Sequence, residues 1–268
     1  MSEKSVNQNI QNSPDTGVKI LLENQKNQIE SLLSAASLAK NLNVQLQGLL
    51  IEEEDLIRAA DLSLSCEVSL WSAEERHINS ESIHRTMRAH ARHQKKELEK
   101  VAAQKNIKYS FVVIRGEKDN WIKENIHSSD ILFIGGYQLK DTSFEAFKFC
   151  TKVTPPLIAL FNGSVASENA LKIALKIAKK DKSSVQILLL ADDFSAEEFQ
   201  RNQLNTLLKN HADIAVIVEP ISKQHIASTL RKKPIKMLIA PRDFALDQEQ
   251  EPLVKLLHQL LCPVVLVK

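Results

Sequence analysis

The feature that most constrains this chain is that it repeats itself. Val18–Leu22 and Leu157–Phe161 are short apolar runs, each soon followed by an asparagine, Asn24 and Asn162. Each then leads into an Ala/Leu-rich helical pattern, in which Ala35–Asn41 matches Ala174–Lys180. Apolar runs that open Val44-Gln-Leu and Val185-Gln-Ile follow. Further on, Tyr109–Ile114 corresponds to Asp213–Val218, and Ile131–Ile134 to Lys236–Ile239. Self-similarity on this scale means that one supersecondary unit is used twice.

The unit reads strand, helix, strand, helix, strand, helix, strand. Its strands are apolar throughout and separated by helices, the pattern of a parallel sheet covered on both faces. Right-handed crossovers then make a doubly wound sheet the expected arrangement. The predicted class is α/β, with two tandem doubly wound parallel-sheet domains, 17–154 and 155–268, behind a disordered polar tail, 1–16. The second copy adds a helix over about 249–260 and a closing strand, Pro263–Val267.

The copies are unequal. Asn24 and Asn162 differ by 138 positions, Ser72 and Ser195 by 123, and Tyr109 and Asp213 by 104, so the first copy carries insertions before and within its second helix. Trp71–Glu75 and Phe194–Glu198 share a Ser-Ala-Glu-Glu core, which predicts a capping box at each helix start, with Phe194 and Phe199 spaced as a hydrophobic staple. One helix over 72–105 would be about 50 Å long; a break near Asn79-Ser80 is the alternative.

Composition narrows the function. The 268 residues carry 35 basic and 33 acidic side chains, a balance that argues against nucleic acid or a membrane surface as partner. No apolar run approaches the ~20 residues needed to span a bilayer. Cys66, Cys150 and Cys262 lack metal-ligand spacing and read as reduced, mostly buried thiols of a cytoplasmic protein.

Three segments resemble the universal stress protein family. Phe161-Asn-Gly-Ser164 before an Ala/Leu helix is similar to the family's strand ending in Asp-Gly-Ser. Asp130–Gly135 resembles its fourth strand, and Cys262–Lys268 its Cys-Pro-Val ending. The resemblance implies an adenine nucleotide alpha hydrolase-like fold and a role in stress response. It also implies an ATP site, built on Gly-x2-Gly-x9-Gly-Ser/Thr after the fourth strand. In the first copy only Gly135 matches; the later positions are Gln138, Lys148 and Phe149. In the second they are Ala240, Asp243, Leu253 and Val254. ATP is therefore disfavoured as a cofactor, and none other is implied. The residues left as ligand or nucleotide candidates are Asn24, Gly135, Gly136, Asn162, Gly163 and Ser164, for which a tight turn and a helix cap is the plainer reading.

Outside that motif, Arg85, Arg88, Arg92 and Lys96 share one helix face, a candidate surface for an anion or an acidic partner. His90 and His93 lack further ligands at metal spacing, so no metal site is expected. Glu52–Asp55 reads as an acidic helix start. No nucleophile has a base at a readable distance, so the chain reads as a binder of a small molecule or protein and not as an enzyme; the alternatives are an interaction scaffold that uses the basic helix and, ranked last, an adenine-nucleotide-binding protein or hydrolase of the same fold. The first copy shows no fifth strand of its own, and Pro263–Val267 is expected to be able to pair with a second chain in a homodimer.

Overall fold

The computed structural model describes residues 17–22, 28–60, 62, 66–69, 72–77, 80–125, 130–135, 155–191, 193–246, 260 and 262–268. The expected tail lies outside them, as does the expected helix over about 249–260 except for Leu260.

The first copy runs β1 (Gly17–Leu22), α1 (Gln28–Leu42), β2 (Gln45–Glu52), α2 (Glu54–Ala60), β3 (Cys66–Val68), β4 (Glu75–His77), α3 (Ser80–Lys105), β5 (Tyr109–Arg115), α4 (Lys118–Asn125) and β6 (Ile131–Ile134). The second runs β7 (Leu157–Phe161), α5 (Val165–Asp181), β8 (Val185–Leu190), α6 (Phe194–Leu208), β9 (Val216–Ile221), α7 (Ile226–Lys232), β10 (Met237–Pro241), a 3-10 turn over Arg242–Leu246, and β11 (Val264–Val267).

The α/β class is as predicted, with a difference in how the copies join. They share one nine-stranded sheet, in the order β5-β2-β1-β6-β11-β10-β7-β8-β9. Pairing is parallel within each copy, while β11 lies antiparallel to β6. The closing strand thus occupies the position beside β6 where a fifth strand of the first copy would sit. Both of its edges are taken, by β6 and β10. The C-terminal strand therefore offers no edge to another chain, which corrects the expected route to a homodimer.

Since β6 and β11 run in opposite directions, so do the two halves of the sheet. Their helices still cover the same faces. Ala35, Ala36 and Ala39 of α1 share a fully buried cluster with Leu98 of α3, Ala170, Leu171 and Ala174 of α5, and Leu204 of α6. On the opposite face, Ile226 and Leu230 of α7 pack with Leu132, Leu160 and Leu238, and Trp121 and Ile122 of α4 lie against Leu21. Alanine recurs on α1 and α5 because small side chains let these helices approach the sheet closely.

The insertion in the first copy is α2 followed by the β3–β4 hairpin. Ser72 lies in that hairpin's turn, its backbone N–H directed at Ser69 Oγ (3.3 Å), with Ala73 at φ 53°. The capping box predicted there is absent because 72–75 is turn and strand. The helix starts at Ser80, so the break near Asn79-Ser80 is the arrangement adopted, and 26 residues make it about 39 Å long. Its buried side chains are Gln94, Leu98, Val101 and Ala102. All four lie in the C-terminal half of the helix, while Ile83, Met87 and Ala91 of the other half are partly buried.

The second predicted cap also shifts. Asp193, not Ser195, caps α6, accepting from Ala196 N at 2.7 Å. No staple forms, since Phe194 and Phe199 are 79% and 63% exposed. β9 begins at Val216, and Asp213 lies in the turn before it. Glu54 and Asp55 do open α2, but Glu52 ends β2 and pairs with Arg115. Among the described residues no helix is long and apolar enough to cross a membrane.

Candidate functional site

In open α/β sheets, ligands bind outside the carboxyl ends of the strands, where successive connections diverge. That point lies between β1 and β6 in the first copy and between β7 and β10 in the second. Because the halves are antiparallel, these two crevices open at opposite edges of the sheet. The structure therefore does not bring the two sets of candidate residues together. Of the first set, Asn24 and Gly136 lie outside the described residues. Gly135 directly follows β6 beside α1, where a Cβ would stand 3.0 Å from Ser31 Oγ. Close packing against α1 favours a glycine at 135.

The second set is fully described. Asn162 Oδ1 accepts from Ser164 N at 3.1 Å, and Ser164 Oγ accepts from Ser167 N at 3.2 Å. Ser164 O takes the Ser167 hydroxyl at 2.7 Å and the Glu168 amide at 3.0 Å. Gly163 sits at φ +81°, a conformation that costs any other residue strain. Asn162-Gly163-Ser164 is thus a tight turn that caps α5 with its own side chains. The amides of Ser164, Ser167 and Glu168 are thereby engaged.

Two residues that sequence reasoning missed close the turn from α6. Gln200, 7% exposed, donates through Nε2 to Asn162 O (3.2 Å) and Leu190 O (3.0 Å), tying the carboxyl ends of β7 and β8 together. A Cβ at position 163 would lie 3.2 Å from Gln200 Cγ and 3.1 Å from Gln203 Oε1. Among the described residues, the Oε1 atoms of Gln200 and Gln203 are both buried without a hydrogen-bond partner. No local pattern marks a glutamine six residues into an amphipathic helix as a crevice residue. The β7–β8 spacing selects it.

The position after β10 where a phosphate loop would begin is also occupied. Ala240 is buried in the strand, and Asp243 Oδ1 accepts from Phe244 N at 3.0 Å. Leu253 and Val254, like Gln138, Lys148 and Phe149, lie outside the described residues. Between Ala240 and Asp243, Arg242 is only 6% exposed. Burial pulls its guanidinium below the ordinary range, opposed by the carboxylate of Asp130. Asp130 belongs to the first copy, so this buried charge lies at the seam between the copies. There Lys268 N donates to Asp130 O and Asn169 Nδ2 donates to Lys268 O, each at 3.0 Å. An arginine directly after an apolar strand was the visible signal.

Arg85, Arg88, Arg92 and Lys96 are all exposed on α3. Arg85 pairs with Glu81 at 3.3 Å, and Arg88 Nε donates to His84 O at 3.2 Å. His90 is biased toward its neutral form. Burial lowers its pKa, helped by His93 and opposed by Glu52. Gln94 Nε2 lies 3.0 Å from its Nε2 and can only donate, which requires an unprotonated ring nitrogen there. Cys66 is exposed, against expectation, whereas Cys262 is buried, its thiol pushed up to about 12. Cys150 lies outside the described residues. Among the described residues no three His, Cys, Asp or Glu side chains group to hold a metal ion.

No protein-family model and no curated protein matches the chain. Solved structures do. A universal stress protein from Archaeoglobus fulgidus DSM 4304 aligns over 93% of this chain and 96% of its own, at 13% identity and TM-score 0.51. The cytoplasmic domain of a prokaryotic cation chloride cotransporter covers 93% and 94%, at 10% identity and TM-score 0.49. A universal stress protein family member from Burkholderia pseudomallei covers 78% and 100%, at 10% identity and TM-score 0.28. At these identities the likeness concerns the fold, and the first of them gives this chain a universal stress protein-like α/β fold.

Proposed function

We propose that this chain is a regulatory protein of the universal stress protein type that works by binding a small ligand or partner protein, without catalysis and without holding ATP through a glycine loop. The observation that carries this reading is the closed turn of the second copy. Asn162 Oδ1, Ser164 Oγ and Gln200 Nε2 are each engaged within the protein, by Ser164 N, by Ser167 N and by the carbonyls of Asn162 and Leu190. The stress role itself rests on likeness of fold, which is an analogy. An equilibrium titration with ATP tests the reading: no saturation at micromolar nucleotide is expected, and micromolar affinity overturns it. Native mass spectrometry of protein purified from its own cell then asks which metabolite or partner is carried instead of a nucleotide.

The exposure of Arg85, Arg88, Arg92 and Lys96 along one face of α3 favours a second reading, a scaffold that holds an acidic partner on α3. Changing Arg85, Arg88 and Arg92 to Ala would then abolish capture of that partner and leave the fold intact. Unchanged capture refutes it. Such binding weakens as salt rises, since the charges are solvated.

A further inference from the structure

The sheet ends in two edges of opposite character, β5 and β9. In a parallel ladder a residue sends both its backbone groups to one side, and successive residues alternate. On β9, Ala215 O accepts from Val185 N, so positions 215, 217, 219 and 221 face β8. Positions 216, 218 and 220 face outward, and the last is Pro220, which has no N–H. The missing donor falls on the open edge, a common way of blocking strand addition.

β5 lacks such a block. Lys108 O accepts from Leu46 N and Gly116 N donates to Glu52 O, so the even positions bond β2. Tyr109, Phe111, Val113 and Arg115 turn their N–H and C=O groups to the other side, where no described strand pairs with them. The strand is seven residues long and rich in aromatic and β-branched side chains. Tyr109 and Val113 are 40% and 41% exposed.

We propose that the β5 edge is a self-association surface on which a second copy of this chain adds antiparallel, joining two nine-stranded sheets into one. The strand is self-complementary about Val112. A two-fold axis there, normal to the sheet, sets Tyr109 opposite the partner's Arg115 and Phe111 opposite the partner's Val113. All four outward-facing residues then meet outward-facing residues. Each such pair exchanges two backbone bonds, about eight in all. The apolar centre is covered, and each flank places a guanidinium near a tyrosine ring, a favourable contact. Shifting the register by one repeat in either direction forfeits one of the four pairs.

Sedimentation velocity on the full chain at tens of micromolar tests this. A dimer is expected, and Val113→Lys, which puts a charge at the middle of the edge, should weaken it at least tenfold with the circular dichroism unchanged. In a Cys66→Ser background, Tyr109→Cys with Arg115→Cys should yield a disulfide-linked dimer on oxidation. Opposed Cα atoms would be about 5.5 Å apart, within disulfide range. Within one chain the same two cysteines stand about 20 Å apart along the strand. A monomeric wild type, a dimer indifferent to Val113→Lys, or no cross-link overturns the proposal.

Discussion

Replacing Gln200 by Glu changes one NH2 group to oxygen at almost constant volume, and so isolates the tie between β7 and β8. In the native chain Nε2 serves two backbone carbonyls, Asn162 O and Leu190 O. A carboxylate there would face both oxygens as a third acceptor. The variant escapes by keeping the new carboxyl group protonated, since burial raises a carboxyl pKa. At pH 7, holding neutral a group whose free pKa is about 4.3 costs close to 1.36 × 2.7, or ~3.7 kcal/mol. The neutral acid still donates once where the amide donates twice, a further ~1 kcal/mol. The predicted loss is therefore about 4–5 kcal/mol at pH 7. The sign with pH follows from the raised folded pKa. Below the unfolded value both states are protonated and only ~1 kcal/mol of the loss persists; the gap from wild type opens as pH rises above ~4.3. Urea unfolding of both proteins at pH 4.5 and 7, followed by far-UV circular dichroism, measures it. A gap below ~1 kcal/mol at pH 7, or one that does not shrink on acidification, would refute the claim that Gln200 acts through its buried amide.

Asp193→Ala should cost about 1 kcal/mol by uncapping α6, and Ser195→Ala less than ~0.5 kcal/mol, both read from denaturant midpoints; equal losses would return the cap to Ser195. Cys66 should react with a thiol reagent in the folded state and Cys262 only on unfolding. The raised thiol pKa of Cys262 also makes its contribution to stability complete below pH ~9 and lost as pH climbs from there toward 12, because only the unfolded state ionises in that window. A Cys262→Ala variant with the same alkaline midpoint as wild type would contradict this.

Much of the fold was legible in the chain because periodicity reports burial. Fully apolar strands such as Leu157–Phe161 can only be covered on both faces, and the Ala/Leu stripe of 165–181 can only be a helix on one of them. The turn at Asn162-Gly163-Ser164 was legible for the same local reason, since an αL-prone glycine and a serine cap act within three residues. The caps at Ser72 and Ser195 were misread, although the same tetrapeptide stands at both. The first lies in a hairpin, and the second is already the second residue of its helix. An Asp at 193 competed better for the cap, and the β3–β4 pairing claimed 75–77.

The alternation of apolar strands with helices was present in the sequence alone, and with it the α/β class and the parallel strand directions within each half. These depend on neighbours along the chain. Only the tertiary structure decided that the two copies share a single sheet. It also decided that β11 fills the place beside β6 and that their crevices open at opposite edges. Gln200 reaching over Gly163 from another helix belongs to the same class of fact. Such facts depend on groups tens of residues apart competing for the same backbone edges and the same buried volume, and no local pattern records which of them succeeds.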